Sequence, residues 1–319
     1  MKNVLLATDG SKLSIEAAQL LAHLPHEGKV ALTVQSVVQR PFIHSNYATG
    51  ELLEKAFQRD RAFAESAFRR VADMFDGANV SIRHVVSEGS IGESIVDLAA
   101  EIEADLVVMG ARGHSPISRM LLGSISDHVA THAPCSTLVV RPTSLQEIMR
   151  PIRVCLAYES SQSAIAALEE IAEIPWRTGT DFHVISIETY LSDFIGQRIA
   201  EDDLDLSSHF QEALLLAKER LVDVAPNAQT HLIKSDHVGE GLVTFAESNE
   251  IDLMVIGETP RSALNRFLLG STSRYVLRHA PCSVWLTRNR VPEKRVDQPS
   301  EDETDEMPPR GLRHQATRA

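Results

Sequence analysis

The stretch Leu121–Arg141, LLGSISDHVATHAPCSTLVVR, returns as Leu268–Arg288, LLGSTSRYVLRHAPCSVWLTR, at an offset of 147 with 12 of 21 positions identical. Identity that dense within one chain means duplication, and a duplicated unit must find the same fold twice. The register extends upstream. IGESIVDLAAEIEADLVVMG, ending at Gly110, aligns with VGEGLVTFAESNEIDLMVIG, ending at Gly257, and VLLATDGSKLS from Val4 aligns with VCLAYESSQSA from Val154. Each copy takes about 145 residues, an ordinary domain size. The expected organisation is a first domain over 1–142, a second over 151–289 and a tail over 290–319.

Within a copy the hydrophobic period alternates. NVLLAT is a short apolar run closed by a turn, the pattern of a strand buried on both faces. SKLSIEAAQLLAHL then puts Leu13, Ala17, Leu20, Leu21 and Leu24 on one helical face. The pattern repeats as strand 29–38, helix 51–75, strand 79–87, helix 90–104, strand 105–110, helix 124–133 and strand 136–141. Ser90 and Glu93 have capping-box spacing at the start of the third helix. Strands separated by whole helices need crossover connections, so the expected fold class is α/β: two tandem doubly wound domains, each a five-stranded parallel sheet with helices on both faces. Ligands in such sheets bind beyond the carboxyl ends of the strands, at the switch point.

Composition removes several functions. The 319 residues carry 31 Lys and Arg against 44 Asp and Glu, a net charge of −13, the wrong sign for coating nucleic acid. No apolar window reaches membrane-spanning length and the N-terminus lacks the pattern of a secretory signal, so the expectation is a cytoplasmic protein with no membrane partner. Cys135, Cys155 and Cys282 cannot build a disulfide framework and read as packing residues. His128 and His132 stand one helical turn apart but lack a third ligand, so no metal site is expected there. The acidic segment VDQPSEDETDEMPPRGLRHQATRA reads as a solvated tail, with partner binding as the alternative.

The informative loop follows the fourth strand of the first copy. It runs from Gly110 through Gly113 to Gly123 and then opens a helix with Ser124, Ile125 and Ser126. Glycines let a backbone approach a phosphate closely, and a helix N-terminus offers unpaired amides to an anion; two hydroxyls add donors. The loop has no Walker lysine and does not follow the first strand, so neither a P-loop nor a Rossmann fingerprint applies. Arg112 and His114 lie within it, either over the phosphates or in solvent.

The set Gly110-x2-Gly113-x9-Gly123-Ser124, an Asp-Gly-Ser turn after the first strand and APCS at the entry to the last strand resembles the nucleotide-binding pattern of universal stress proteins, in both copies. The resemblance implies a nucleotide-binding, adenine alpha-hydrolase-like fold and ATP as ligand, with Mg a candidate companion ion. It implies that Asp9 helps to hold the nucleotide, through the base or through a metal. Val37 would read adenine with its main chain, Met109 and Gly110 would border the ribose and phosphates, and Gly113, Gly123, Ser124, Ile125 and Ser126 would form the phosphate cradle. Members of the family pair through their last strands, which implies an internal pseudo-dimer joined by STLVVR and SVWLTR, with a homodimer as a further option.

The second copy departs from the pattern. Pro260 stands at the second glycine, Glu159 at Asp9 and Ser160 at Gly10, while Glu258 puts an anion near the phosphate position. Gly270, Ser271 and Ser273 keep the helix N-terminus. The expectation is a nucleotide held mainly by the first domain, in a stress-response regulator with no catalytic residues and at most slow ATP hydrolysis. The alternatives are an interaction scaffold of the same fold and an adenylate-handling enzyme. The segments 39–50 and 188–200, which differ most between copies, are where partner preference would reside.

Overall fold

A computed structural model describes residues 1–39, 50–113, 122–142, 150–176, 179–190, 206–258 and 269–288, with side chains described from 54 in the second segment and from 208 in the sixth. The first half contains β1 (Asn3–Ala7), α1 (Lys12–His23), β2 (Val30–Val38), α2 (Gly50–Met74), β3 (Val80–Glu88), α3 (Ile91–Glu101), β4 (Leu106–Gly110), α4 (Ser124–His132) and β5 (Ser136–Val140). The second repeats it as β6 (Arg153–Ala157), α5 (Gln162–Ala172), β7 (Asp181–Thr189), α6 (Leu206–Arg220), β8 (Gln229–Ser235), α7 (Val238–Ser248), β9 (Leu253–Glu258), α8 (Ser271–His279) and β10 (Ser283–Arg288). The alternation of period 2 and period 3.6 placed these elements within a few residues. Of the expected segments, 290–319, most of 39–50 and most of 188–200 lie outside the described residues, as do His114 and Pro260.

The ten strands form one sheet in the order β3-β2-β1-β4-β5-β10-β9-β6-β7-β8. All pairings within a half are parallel; β5 and β10 pair antiparallel, with Val139 opposite Val284 and Leu138 opposite Trp285. The two last strands thus close the halves onto each other, the pairing implied by the resemblance. One core lies on the face covered by α1, α2, α5 and α6, the other under α3, α4, α7 and α8, and each contains residues of both halves. Burial on both faces explains the apolar run LVVMG of β4 and the LVV of β5, whose Ser136 and Thr137 are buried polar residues.

The junction has its own pseudo-twofold chemistry. Arg141 Nη2 donates to the carbonyls of Leu277 (2.9 Å) and Arg278 (3.1 Å) at the end of α8. Its repeat counterpart Arg288 donates through Nη2 to Ala130 (2.5 Å) and Thr131 (3.0 Å) and through Nη1 to the Ala133 carbonyl, all at the end of α4. A cation at a helix C-terminus satisfies orphan carbonyls and opposes the macrodipole. The backbone amides follow suit, Arg141 N donating to Ser283 Oγ and Arg288 N to Ser136 Oγ. Trp285, 1% exposed, adds an asymmetric anchor by donating from Nε1 to Glu170 at 2.9 Å.

Helix ends are also duplicated. Beyond α3, Glu103 has φ of +48° and Ala104 N donates to Ala99 O; beyond α7, Glu250 has φ of +49° and Ile251 N donates to Ala246 O. Both are left-handed terminations closed by a six-to-one bond, which favour glycine. Glu250 earns its place through an ion pair with Arg153 (2.7 Å). Glu103 is exposed and makes no such ion pair among the described residues, so Glu103→Gly should raise the folding free energy by about 0.5–1 kcal/mol in denaturant titration, since relief of left-handed strain exceeds the entropy of an added glycine. A loss of stability would contradict this reading. The expected capping box is half right: Ser90 is the N-cap of α3, but its hydroxyl makes no capping bond.

Candidate functional site

In each half the crossover direction reverses between the first and fourth strands, which opens a crevice at their carboxyl ends. In the first half the turn after β1 is shaped by Thr8, whose Oγ1 accepts from Gly10 N (3.2 Å) and bonds Ser14 Oγ (2.9 Å). Gly10 takes φ of +71°, and a Cβ there would lie 2.7 Å from the ring of Phe63. Asp9 Oδ1 accepts from Ser11 N at 3.0 Å, and Oδ2 lies against Gly113, where any Cβ would collide with it. A side chain at 113 would therefore displace the Asp9 carboxylate from its present place.

Val37 is placed by strand register. Gln35 O accepts from Thr8 N, so its carbonyl faces β1, and backbone groups two residues on face the same way. The β1 pairing ends at Ala7 opposite Gln35. Val37 therefore points its N–H and C=O into the crevice past the end of β1.

The opposite wall is β4 and the start of α4. Met109 is buried and its side chain belongs to the core under α3 and α4, leaving its main chain for the site. A Cβ on Gly110 would lie 3.0 Å from the backbone of Leu13, so α1 sits directly on this strand end. Gly123 N donates to Ala111 O at 2.9 Å and caps α4 without a side chain, leaving the amides of Ser124, Ile125 and Ser126 as the helix's first three. Ser124 and Ile125 are exposed. The Ser126 hydroxyl is buried and turns away from the helix N-terminus, donating to the carbonyls of Gly110 (3.0 Å) and Ala111 (3.1 Å). It braces the strand end, and only its backbone amide remains for an anion.

Two residues that sequence patterning passed over complete this arrangement. Gln35, buried in β2, donates to Ser87 Oγ and Ser94 O (2.9 Å each) and ties β2 to β3 and α3. A polar residue inside an apolar run is the signal it left. Arg70 of α2 donates to Gly10 O at 3.1 Å. His128 and His132 stack with ring centroids 4.2 Å apart, and His132 Nδ1 bonds His128 O. Cys135, Cys155 and Cys282 are buried and form no disulfide, with burial pushing the Cys282 thiol up to about 12.

At the equivalent place in the second half lies a cavity of about 190 Å³ at the ends of β6, β7 and β9 and the start of α8. Its polar lining includes Glu159, Ser161, Ser163 and Ser271–Ser273; Ile185, Ile187, Val238, Leu242 and Ile256 line the apolar side. Gly257 is packed so closely on α5 that a Cβ would collide with Ser163 O. Glu258 differs from expectation: it is buried and ion-paired with Arg288, so its charge is neutralised at the junction and does not face the cavity as a bare anion. Ser160 keeps the left-handed conformation of Gly10, with φ of +55°. No helix among the described residues is long and apolar enough to cross a membrane.

The family model described as Universal stress protein family matches residues 1–141 and 152–288. A protein of Staphylococcus aureus (strain USA300) that carries the universal stress protein name is 29% identical over 153 residues, 47% of this chain and 90% of that one. A universal stress protein from Archaeoglobus fulgidus DSM 4304 superposes with a TM-score of 0.64 at 17% identity, covering 90% of this chain and 98% of its own. A protein of Pseudomonas aeruginosa PAO1 described as functionally unknown does so with a TM-score of 0.58 at 16% identity, over 90% and 92%. At those identities the structural likeness is one of fold.

Proposed function

Because the chain belongs to the universal stress protein family, with one family domain in each half, we propose that it is a stress-response regulator that binds an adenine nucleotide, ATP, mainly in its first half. The observation that carries this reading is the convergence of three backbone features on one crevice. These are the N–H and C=O of Val37 facing past the end of β1, the glycine-lined approach at Gly110 and Gly113, and the open amides of Ser124–Ser126. The first offers a donor and an acceptor side by side to the edge of a base. The others offer close approach and a positive dipole end to phosphates. Asp9, bordering both, is placed to accept from the sugar or to meet a Mg ion carried in on the phosphates. Among the described residues no group of three His, Cys, Asp or Glu could hold a metal by itself.

The arrangement is one for holding rather than for turning over. Asp9 already accepts from Ser11 N, and among the described residues no second side chain of the crevice is poised to activate water. ATP occupancy would act by biasing conformation or partner choice, and hydrolysis slower than about one per second is expected. Calorimetry on the full chain should show one strong ATP site per chain. Two equivalent sites would remove the preference for the first half, and absence of any ATP or ADP binding would overturn the nucleotide reading.

A further inference from the structure

One residue of the second half serves the first-half crevice: we propose that Arg288, at the end of β10, is a positioning residue for the phosphate cradle and acts through α4. The inference rests on the nucleotide reading given above and adds that the first site is complete only when both halves are joined. α4 has nine residues, Ser124–His132, and SISDHVATH consists mostly of weak helix formers. Isolated helices below about 12–15 residues are marginal in water, so this one owes its order to its surroundings. Its line, and with it the direction of the Ser124–Ser126 amides, is set by what holds its two ends.

The N-terminal end is held from within the first half, by Gly123 N donating to Ala111 O and by Ser126 Oγ donating to the carbonyls of Gly110 and Ala111. The other end is held from across the junction. Of the carbonyls that close α4, Val129 O accepts from Ala133 N, while Arg288 takes those of Ala130 and Thr131 through Nη2 and that of Ala133 through Nη1. The guanidinium is itself fixed, because its Nε meets the buried carboxylate of Glu258. A planar fork committed on every side leaves α4 little freedom to tilt or fray, and it sets a cation at the negative end of the helix dipole. A second contact reaches the first turn: Arg278 of α8 lies 3.6 Å from Asp127 and offsets the one acid of α4, although this exposed pair adds little beside Arg288. The repeat contact is lighter. Arg141 takes the Leu277 and Arg278 carbonyls of α8, and Ala111 stands where Glu258 does, so that position supplies no carboxylate to fix it. The tighter grip therefore falls on the helix of the crevice assigned to ATP.

The test is ATP affinity, measured calorimetrically on the full chain at a temperature where circular dichroism shows every variant folded. Arg288→Ala combined with Glu258→Ala removes the grip and leaves no unpaired acid, and ATP should bind about fivefold or more weakly than to the wild type. Arg288→Lys keeps the charge beside Glu258 but offers one nitrogen in place of the fork; it should lose about threefold or more, and it serves even if the double variant does not fold. Trp285→Phe separates positioning from a general weakening of the junction. It deletes the bond to Glu170 in the core on the other face of the sheet, so its Tm should fall while ATP affinity stays within about twofold of the wild type. Wild-type affinity in both Arg288 variants, or an equal loss in Trp285→Phe, would overturn the proposal and leave the nucleotide reading intact. Absence of ATP binding to the wild type would overturn both.

Discussion

Arg288→Ala is expected to lower the folding free energy by about 3–5 kcal/mol, because it breaks a buried ion pair at the junction. The guanidinium of Arg288 is paired with buried Glu258 and donates to three carbonyls at the end of α4, so its removal orphans a carboxylate and a helix terminus together. Arg141→Ala should cost less, about 1–3 kcal/mol. It frees the Leu277 and Arg278 carbonyls but leaves no unpaired acid, and burial already pushes that guanidinium's pKa down. Denaturant unfolding followed by circular dichroism measures both. Combining Arg288→Ala with Glu258→Ala should recover part of the loss, with a coupling of about 0.5–3 kcal/mol. A cost below 1 kcal/mol for Arg288→Ala would show that the junction rests on strand pairing and Trp285 alone. Since each core contains residues of both halves, the loss should appear in one transition and not as the melting of one half.

What was legible in the sequence was what is local or repeated. Strand and helix limits follow from period and burial, as LVVMG and the α1 stripe show. The joining of STLVVR to SVWLTR followed from the family resemblance and appears as the antiparallel β5 and β10 pair. The Arg141 and Arg288 contacts were hidden because they join strand ends to helix ends 130 to 160 residues away, and no periodicity encodes which arginine meets which carbonyl. The same holds for Glu258: read along the loop it is an anion beside a phosphate site, but in space its partner is on β10. Ser126 shows the same separation of sequence from space. Its spacing from Gly123 fits a cradle hydroxyl, yet its side chain turns back onto Gly110 and Ala111. Sequence shows which positions can donate; only packing shows where the donor is already committed.

That distinction shapes the expected result for the first-half crevice. Asp9→Ala together with Gly123→Ala should weaken ATP binding at least 100-fold, about 2.7 kcal/mol, while the fold remains intact. Asp9→Ala removes the carboxylate set against Gly113 and the bond that holds Ser11 N. At Gly123 a Cβ would lie 3.2 Å from Ala111 O and 3.5 Å from Arg112 Cα, so the loop must retreat from β4 and carry the amides of Ser124 and Ile125 out of line. The φ of −70° at Gly123 suits alanine, so the cost falls on cradle alignment rather than on backbone strain. Ser126→Ala offers the contrast. It deletes a brace and no proposed ligand contact, so ATP affinity should fall by no more than about tenfold. Thermal unfolding with and without ATP checks all three, because a ligand present at 1,000 times its Kd adds about 4 kcal/mol to the native state. An ATP-induced rise in Tm that survives the double variant would place the nucleotide outside the β1 and β4 crevice. A rise lost in Ser126→Ala but kept in the double variant would reverse the roles assigned to hydroxyl and backbone.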